Sequence, residues 1–202
     1  MQSKSALPSV WVARHCETAW SLSGQHTGLT DLPLTERGER DALRLGERLR
    51  GMSFERVLTS PLRRASRTCE LAGFAKIAQI DPNLVEWDYG QYEGRRAAEI
   101  RADRPDWQIF RDGCPGGESP AQVAARADRV MNRLREEGGD ALVFSSGHFL
   151  RMLAARWIGL APMACSIHLM LDAGSLSRLG QQQDRRPVIW QWNETHHLEA
   201  RT

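Results

Sequence analysis

Short apolar runs alternate with helix-patterned segments along this chain, and that alternation limits its fold more than any other feature. Val10-Trp11-Val12-Ala13, Val57-Leu58-Thr59 and Ala141-Leu142-Val143-Phe144 each read as a strand, and a stretch with helical spacing follows each of them. The pattern predicts an α/β fold, a three-layer α/β/α sandwich on a mostly parallel sheet. The helix after the first strand is read from about Arg37 to Arg50, with Ala42, Leu45 and Leu49 on one face. Ser60-Pro61 reads as a helix start, a capping hydroxyl followed by proline at the first position, with Leu62, Ala65, Cys69 and Ala72 recurring behind it. Ser119-Pro120-Ala121-Gln122 is a capping box that opens a helix to about Glu137, with Val123, Ala127, Val130 and Leu134 turned inward. Gly138-Gly139 stops it, and Phe149 to Ile158 forms a later, apolar helix. Residues 166–192 hold short β-like runs, read as edge strands. No repeat or linker interrupts the chain, so 1–202 is read as a single domain with a loop-rich lid around 87–117.

Composition narrows the partners. With 41% hydrophobic and 26% charged residues, 202 positions suffice for a substantial core. The 27 basic residues are interspersed with 25 acidic ones and form no stripe, which argues against nucleic acid. Cys16, Cys69, Cys114 and Cys165 are widely spaced with no C-x-x-C, so neither a zinc knuckle nor a disulfide framework is expected. Met1 to Pro8 lacks the apolar stretch of a secretory signal, and no segment approaches the roughly 20 apolar residues of a membrane helix. A cytoplasmic protein without membrane contact is the expectation.

Chemically suggestive residues gather at three strand-to-helix junctions. Arg14-His15 closes the first strand, Arg64 lies in the first turn after Ser60-Pro61, and Ser146-Gly147-His148 precedes the apolar helix. In open α/β sheets, ligands bind outside the carboxyl ends of the strands, where helix amino ends also favour anions, so these junctions can converge on one crevice. A neutral imidazole has a lone pair available near pH 7, and a guanidinium offers a planar fork to phosphate oxygens. Glu86, within Leu84 to Gly94, adds a carboxyl group from the loop-rich region.

Six stretches in order carry a resemblance. They are Arg14-His15-Cys16-Glu17-Thr18-Ala19-Trp20, Thr27 to Thr35 with Gly38, Ser60-Pro61-Leu62-Arg63-Arg64-Ala65 with Thr68, Leu84 to Gly94, Pro115-Gly116-Gly117-Glu118-Ser119, and Gly147-His148-Phe149-Leu150-Arg151. Together, from Val10 to about Leu160, the chain resembles the histidine phosphatase superfamily, the phosphoglycerate-mutase-like fold. The resemblance makes His15 the nucleophile, with Arg14 and Arg64 holding the phosphoryl oxygens. It makes Glu86 the acid that protonates the leaving alkoxide and then the base that activates water. His15 must keep one nitrogen unprotonated, donating from the other to a backbone carbonyl, and Glu86 is expected in a buried setting. No metal and no cofactor enter this scheme.

Two positions depart from the family. Cys16 stands where glycine is usual, and a side chain there is expected to crowd the backbone around the phosphate. Ser146 stands where the second pocket histidine is usual. Either its hydroxyl replaces the imidazole, or His148 turns into the pocket, and the reading favours His148. By the same resemblance, Ser21, Thr27, Gly28 and Tyr89 line the substrate entrance beside Ser146 and Gly147; Trp87, from its place in the loop that carries Glu86, is the tryptophan expected to touch substrate. The Trp20 to Gly28 stretch resembles the branch that includes sugar bisphosphatases. The cofactor-dependent mutases carry a long basic insert after the Glu86 region; here Arg111-Asp112-Gly113-Cys114 is short, which favours hydrolysis over transfer.

Other chemistries lack their spacing. No cysteine has arginine six positions on, and no G-x-x-x-x-G-K-[ST] or G-x-G-x-x-G occurs. His196-His197 is read as a solvated pair. The expectation is a metal-independent phosphomonoesterase acting on a small phosphorylated metabolite, a sugar phosphate by resemblance. Phosphoglycerate-mutase-type transfer and a non-catalytic phosphate-binding protein are the alternatives. Oligomeric state is left open, a homodimer included.

Overall fold

A computed structural model describes residues 8–165 and 168–199 of the chain. Strand β1 (Val10–Arg14) leads through a short helix α1 (Ala19–Ser23) to α2 (Glu36–Arg48). Strand β2 (Arg56–Thr59) is followed by α3 (Arg63–Leu71) and β3 (Ala78–Ile80), and then by α4 (Ala97–Asp103) and α5 (Ile109–Asp112). Helix α6 (Pro120–Glu137), β4 (Ala141–Ser145) and α7 (Gly147–Trp157) form the next unit, and α8 (Pro162–Cys165), β5 (Leu176–Gln181) and β6 (Pro187–Glu194) complete the order.

The strands form one sheet in the order β3-β2-β4-β1-β5-β6. The first four are mutually parallel, while β5 is antiparallel to β1 and β6 antiparallel to β5. Alternate residues of the central strands face opposite layers, as pleating requires. Val10, Val12 and Val143 pack with Val123, Ala127, Val130 and Leu134 of α6 and Phe149, Leu150 and Leu153 of α7. Trp11, Ala13, Leu142 and Phe144 pack with Leu45 and Leu49 of the α2 segment and Cys69 and Ala72 of the α3 segment. Each buried valine, leucine or phenylalanine among them contributes about 1.5–3 kcal/mol relative to exposure. Among the described residues no helix is long and apolar enough to cross a membrane.

The capping box of α6 forms as expected. Ser119 Oγ accepts from Gln122 N at 3.3 Å, and Gln122 Oε1 accepts from Ser119 N at 2.8 Å. Helix α3, however, begins two residues after Pro61. Ser60 Oγ accepts only from Leu62 N, at 3.3 Å, and Asp31 Oδ1 accepts from Arg63 N at 2.7 Å. A carboxylate from a distant loop has taken the capping place that local sequence assigned to Ser60. Of the late strands, β6 lies at the edge, but β5 lies between β1 and β6. The opposite edge is β3, which lacks an apolar run and escaped the sequence reading.

The stretch around 87–117, read from sequence as a loop-rich lid, carries more regular structure than that. It contains α4, α5 and a 3-10 turn at Gly90–Tyr92, and it buries Trp87, Tyr89, Tyr92, Ile100, Trp107 and Phe110. Trp87 and Phe110 meet edge to face with centroids 5.5 Å apart. Trp87 Nε1 donates to Glu118 O at 2.8 Å, so Trp87 is a core residue rather than a substrate contact.

Candidate active site

Parallel pairing of β1 with β4 continues one residue past Arg14: His15 N donates to Ser145 O at 2.9 Å. From the other side, Gly174 N donates to His15 O at 3.0 Å. With its backbone held on both flanks, His15 is 4% exposed. Its Nδ1 donates to Cys16 O at 2.8 Å, which leaves Nε2 as the nitrogen with a lone pair. Burial, then the positive charges of Arg14 and Arg64, hold this imidazole well below the ordinary histidine range.

The two guanidinium groups are themselves held by carbonyls. Arg14 Nη1 donates to Leu171 O. Arg64 Nη1 donates to Thr30 O at 3.0 Å, and its Nη2 to Thr27 O and Gly28 O at 3.0 and 2.8 Å. Thr68 joins the two sides, its hydroxyl donating to Arg64 O and accepting from Cys16 N. The Nε atoms of both arginines are buried without a partner. Gly147 lets Arg14 lie flat against the start of α7, since a Cβ there would stand 3.2 Å from Arg14 Nε.

Glu86 is buried and caps α7 from a distant loop. Its Oε2 accepts from His148 N at 2.9 Å, and its Oε1 accepts from Phe149 N at 2.8 Å and Trp87 N at 2.9 Å. A serine before a helix ordinarily accepts from the second or third helical amide. Here those amides belong to His148 and Phe149, and Glu86 has taken them. Ser146 Oγ is consequently left buried and unpartnered. Among the described residues four buried side-chain polar atoms lack a hydrogen-bond partner: Arg14 Nε, Arg64 Nε, Ser146 Oγ and Ser175 Oγ. Native interiors leave few such groups, and a bound species is one way to satisfy them.

These junctions open into a cleft of about 250 Å³. Arg14, His15, Glu86, Gly147 and His148 line it, together with Ser21, Thr27 and Tyr89. Arg64 lies deeper and Gly28 is behind the wall, its amide held by Glu93 Oε1 at 2.8 Å and its carbonyl accepting from Arg64. Gly28 therefore supports an arginine rather than bounding the entrance. Ser21 Oγ also accepts from Thr18 N in the cap of α1. Of the two residues weighed for the missing pocket position, His148 lines the cleft with Arg14, His15 and Glu86, and Ser146 is buried. The His148 ring is tied at Nδ1 to Tyr89 Oη at 2.6 Å and stands against His26 and Phe110 along the cleft wall.

Cys16 does not crowd the site. Its thiol points beneath Gly174, where a Cβ would approach Sγ to 3.2 Å, and burial pushes it up to about 12. Gly174, at φ +74°, supplies both the turn and the room that the cysteine needs. The solvated reading of His196-His197 holds for the first residue alone. His197 is buried, its Nε2 donating to Gly174 O at 2.9 Å.

Two contributors were not anticipated from sequence. His26 lines the cleft, and nothing in its local pattern marks it. Arg126, beside the apolar stripe of α6, donates to the carbonyls of Asn83, Val85 and Glu86 and pairs with Glu118 at 2.8 Å. It thereby anchors the loop that carries Glu86. An arginine three positions after Val123, at helical spacing with the apolar stripe, is the one signal that could have found it.

Known proteins resemble this chain in sequence and fold. An acid phosphatase of Mycobacterium tuberculosis is 40% identical over 179 residues, covering 87% of each chain. A sedoheptulose 1,7-bisphosphatase of Saccharomyces cerevisiae is 39% identical over 189 residues, covering 77% of this chain and 69% of that one. The solved structure of the product of open reading frame Rv3214 from Mycobacterium tuberculosis superposes with a TM-score of 0.88 at 35% identity, covering 93% of this chain and 98% of the other. The family model for the histidine phosphatase superfamily, branch 1, matches residues 10–195, and with a buried Arg-His pair at the carboxyl edge of such a sheet the chain belongs to that superfamily.

Proposed function

We propose that this protein is a phosphomonoesterase that hydrolyses a small phosphorylated metabolite, a sugar phosphate, through a phosphohistidine on His15. One observation carries the reading: Arg14 Nε, Arg64 Nε and Ser146 Oγ, on three separate chain segments, are buried with no partner, and Arg14 lines the cleft with the His15 imidazole. A phosphoryl group on His15 is the species proposed to satisfy them. Preset donors of this kind meet the charge that spreads over equatorial oxygens in phosphoryl transfer without reorganising.

In the first step His15 Nε2 bonds to phosphorus as the bond to the leaving oxygen breaks, and Glu86 passes a proton to that oxygen. Oε2 of Glu86, which accepts a single amide, is the oxygen with room for that proton. In the second step Glu86 takes a proton from water, the new oxygen bonds to phosphorus, and the phosphorus–nitrogen bond breaks to release inorganic phosphate. Ser146 serves here as a neutral donor in the place the family gives to histidine, while His148 stays on the wall with Tyr89.

The test is phosphate release across a panel of sugar phosphates, glycolytic acids and nucleotides, with His15→Ala as blank, alongside acid-labile phosphate trapped on the protein. Turnover that survives His15→Ala would remove the phosphohistidine. Isomerisation of 3-phosphoglycerate without phosphate release would favour a mutase, and ligand binding without turnover a non-catalytic role.

A further inference from the structure

Two imidazoles, His26 and His148, stand side by side on the cleft wall, their planes 10° apart and their centroids 5.8 Å apart. Each ring is tied at one nitrogen, and the ties leave opposite hydrogen-bonding character at the other. His26 Nδ1 meets Arg95 O at 2.7 Å. A carbonyl oxygen only accepts, so Nδ1 carries the proton, and Nε2 of the neutral ring is an acceptor. His148 Nδ1 meets Tyr89 Oη at 2.6 Å. Among the described residues Tyr89 Oη has no other hydrogen-bond partner, so its buried proton would be stranded if the imidazole donated to it. The phenol therefore donates, and the proton of the neutral His148 ring sits on Nε2. Burial holds the phenol of Tyr89 well above its ordinary range and both imidazoles below theirs, so all three stay uncharged near pH 7.

We propose that His26 and His148 form a hydroxyl-reading subsite, in which one hydroxyl of the substrate's carbon skeleton accepts from His148 Nε2 and donates to His26 Nε2. The proposal rests on the phosphatase reading and names the substrate class of that cleft, polyol phosphates. A hydroxyl is donor and acceptor at once and satisfies both nitrogens. A carboxylate oxygen only accepts and would set a lone pair against His26 Nε2, whereas an ammonium would set a proton against His148. Ser21, Gln25 and Thr27 continue the wall with neutral polar groups, and the guanidinium of Arg151 lies over the Phe110 ring at 4.8 Å.

The test compares erythritol 4-phosphate with n-butyl phosphate, four-carbon monoesters that differ in their hydroxyls, in the full chain and in His26→Phe, His26→Gln and Tyr89→Phe. Hydrolysis of p-nitrophenyl phosphate reports whether the phosphoryl pocket is assembled. The unaltered protein is expected to favour the polyol ester at least tenfold in kcat/KM. His26→Phe and Tyr89→Phe each lower that ratio about tenfold, the worth of one hydrogen bond, and His26→Gln, which keeps an acceptor, restores most of it. If His26→Phe does not fold, the unaltered ratio and Tyr89→Phe decide. A ratio near unity while p-nitrophenyl phosphate is hydrolysed, or a ratio unmoved by both variants, overturns the subsite and leaves the phosphatase intact. Absence of phosphate release from every ester defeats both.

Discussion

Glu86→Gln separates the helix cap that this carboxyl group forms from the acid role proposed for it. Three backbone amides point at it: Trp87 and Phe149 at Oε1, and His148 at Oε2. A glutamine keeps two of them by turning its oxygen to Trp87 and Phe149, and it then sets its own NH2 against the His148 amide. One buried donor left without an acceptor costs about 1–3 kcal/mol, which for a chain of this size lowers the melting temperature by roughly 3–10 °C. The catalytic loss is distinct. Without an acid, hydrolysis of alkyl phosphates should fall by roughly 10²–10⁴, whereas p-nitrophenyl phosphate, whose leaving group needs little protonation, should fall by about tenfold or less. Thermal melts and kcat/KM on the two ester types measure both effects in one preparation. Equal losses on alkyl and aryl esters would refute the acid role, and an unchanged melting temperature would refute the cap.

Ser146→Ala removes a buried hydroxyl that has no partner, so stability should hold or rise while kcat/KM falls roughly ten- to hundredfold; activity unchanged on every ester would deny it contact with the phosphoryl group. Cys16→Gly should retain turnover and lose roughly 1–2 kcal/mol in denaturant melts, since the thiol fills space under Gly174 and not in the cleft; a collapse of kcat in folded protein would give it a catalytic task. The folded-state values of His15 and His148 lie well below 6.5, so the unfolded chain binds the extra protons. Stability is therefore full above about pH 6.5 and falls on acidification toward the folded-state values, by up to about 1.4 kcal/mol per pH unit for each ring. His148→Gln should flatten that slope between pH 6.5 and 5 in denaturant titrations, and an unchanged slope would contradict its neutral state.

Local patterns carried much of this molecule. Val10 to Ala13 and Ala141 to Phe144 are recognisable as strands because their apolar runs are bounded by polar and turn residues, and Ser119 with Gln122 caps α6 as written. The pairing of Arg14-His15 with Arg64 and Glu86 was also legible, through ordered motifs rather than through any one dipeptide. Less was readable wherever a distant group competed with a local one. Asp31 displaced Ser60 as the cap of α3, and Gly28 turned its carbonyl to Arg64 instead of facing the entrance.

Sequence alone determined the alternation of strands and helices, the faces they bury and the residues proposed to take a phosphoryl group, because those features depend on neighbours three or four positions away or on side-chain chemistry. Only the tertiary structure decided which polar atoms stay unsatisfied. Ser146 Oγ is left without a partner because Glu86, 62 residues from His148, claims the amides a serine cap would have used. His26 joins the wall because Arg95, 69 residues on, fixes its proton. Hydrogen-bond competition is settled when remote segments meet, and no periodicity along the chain records its outcome.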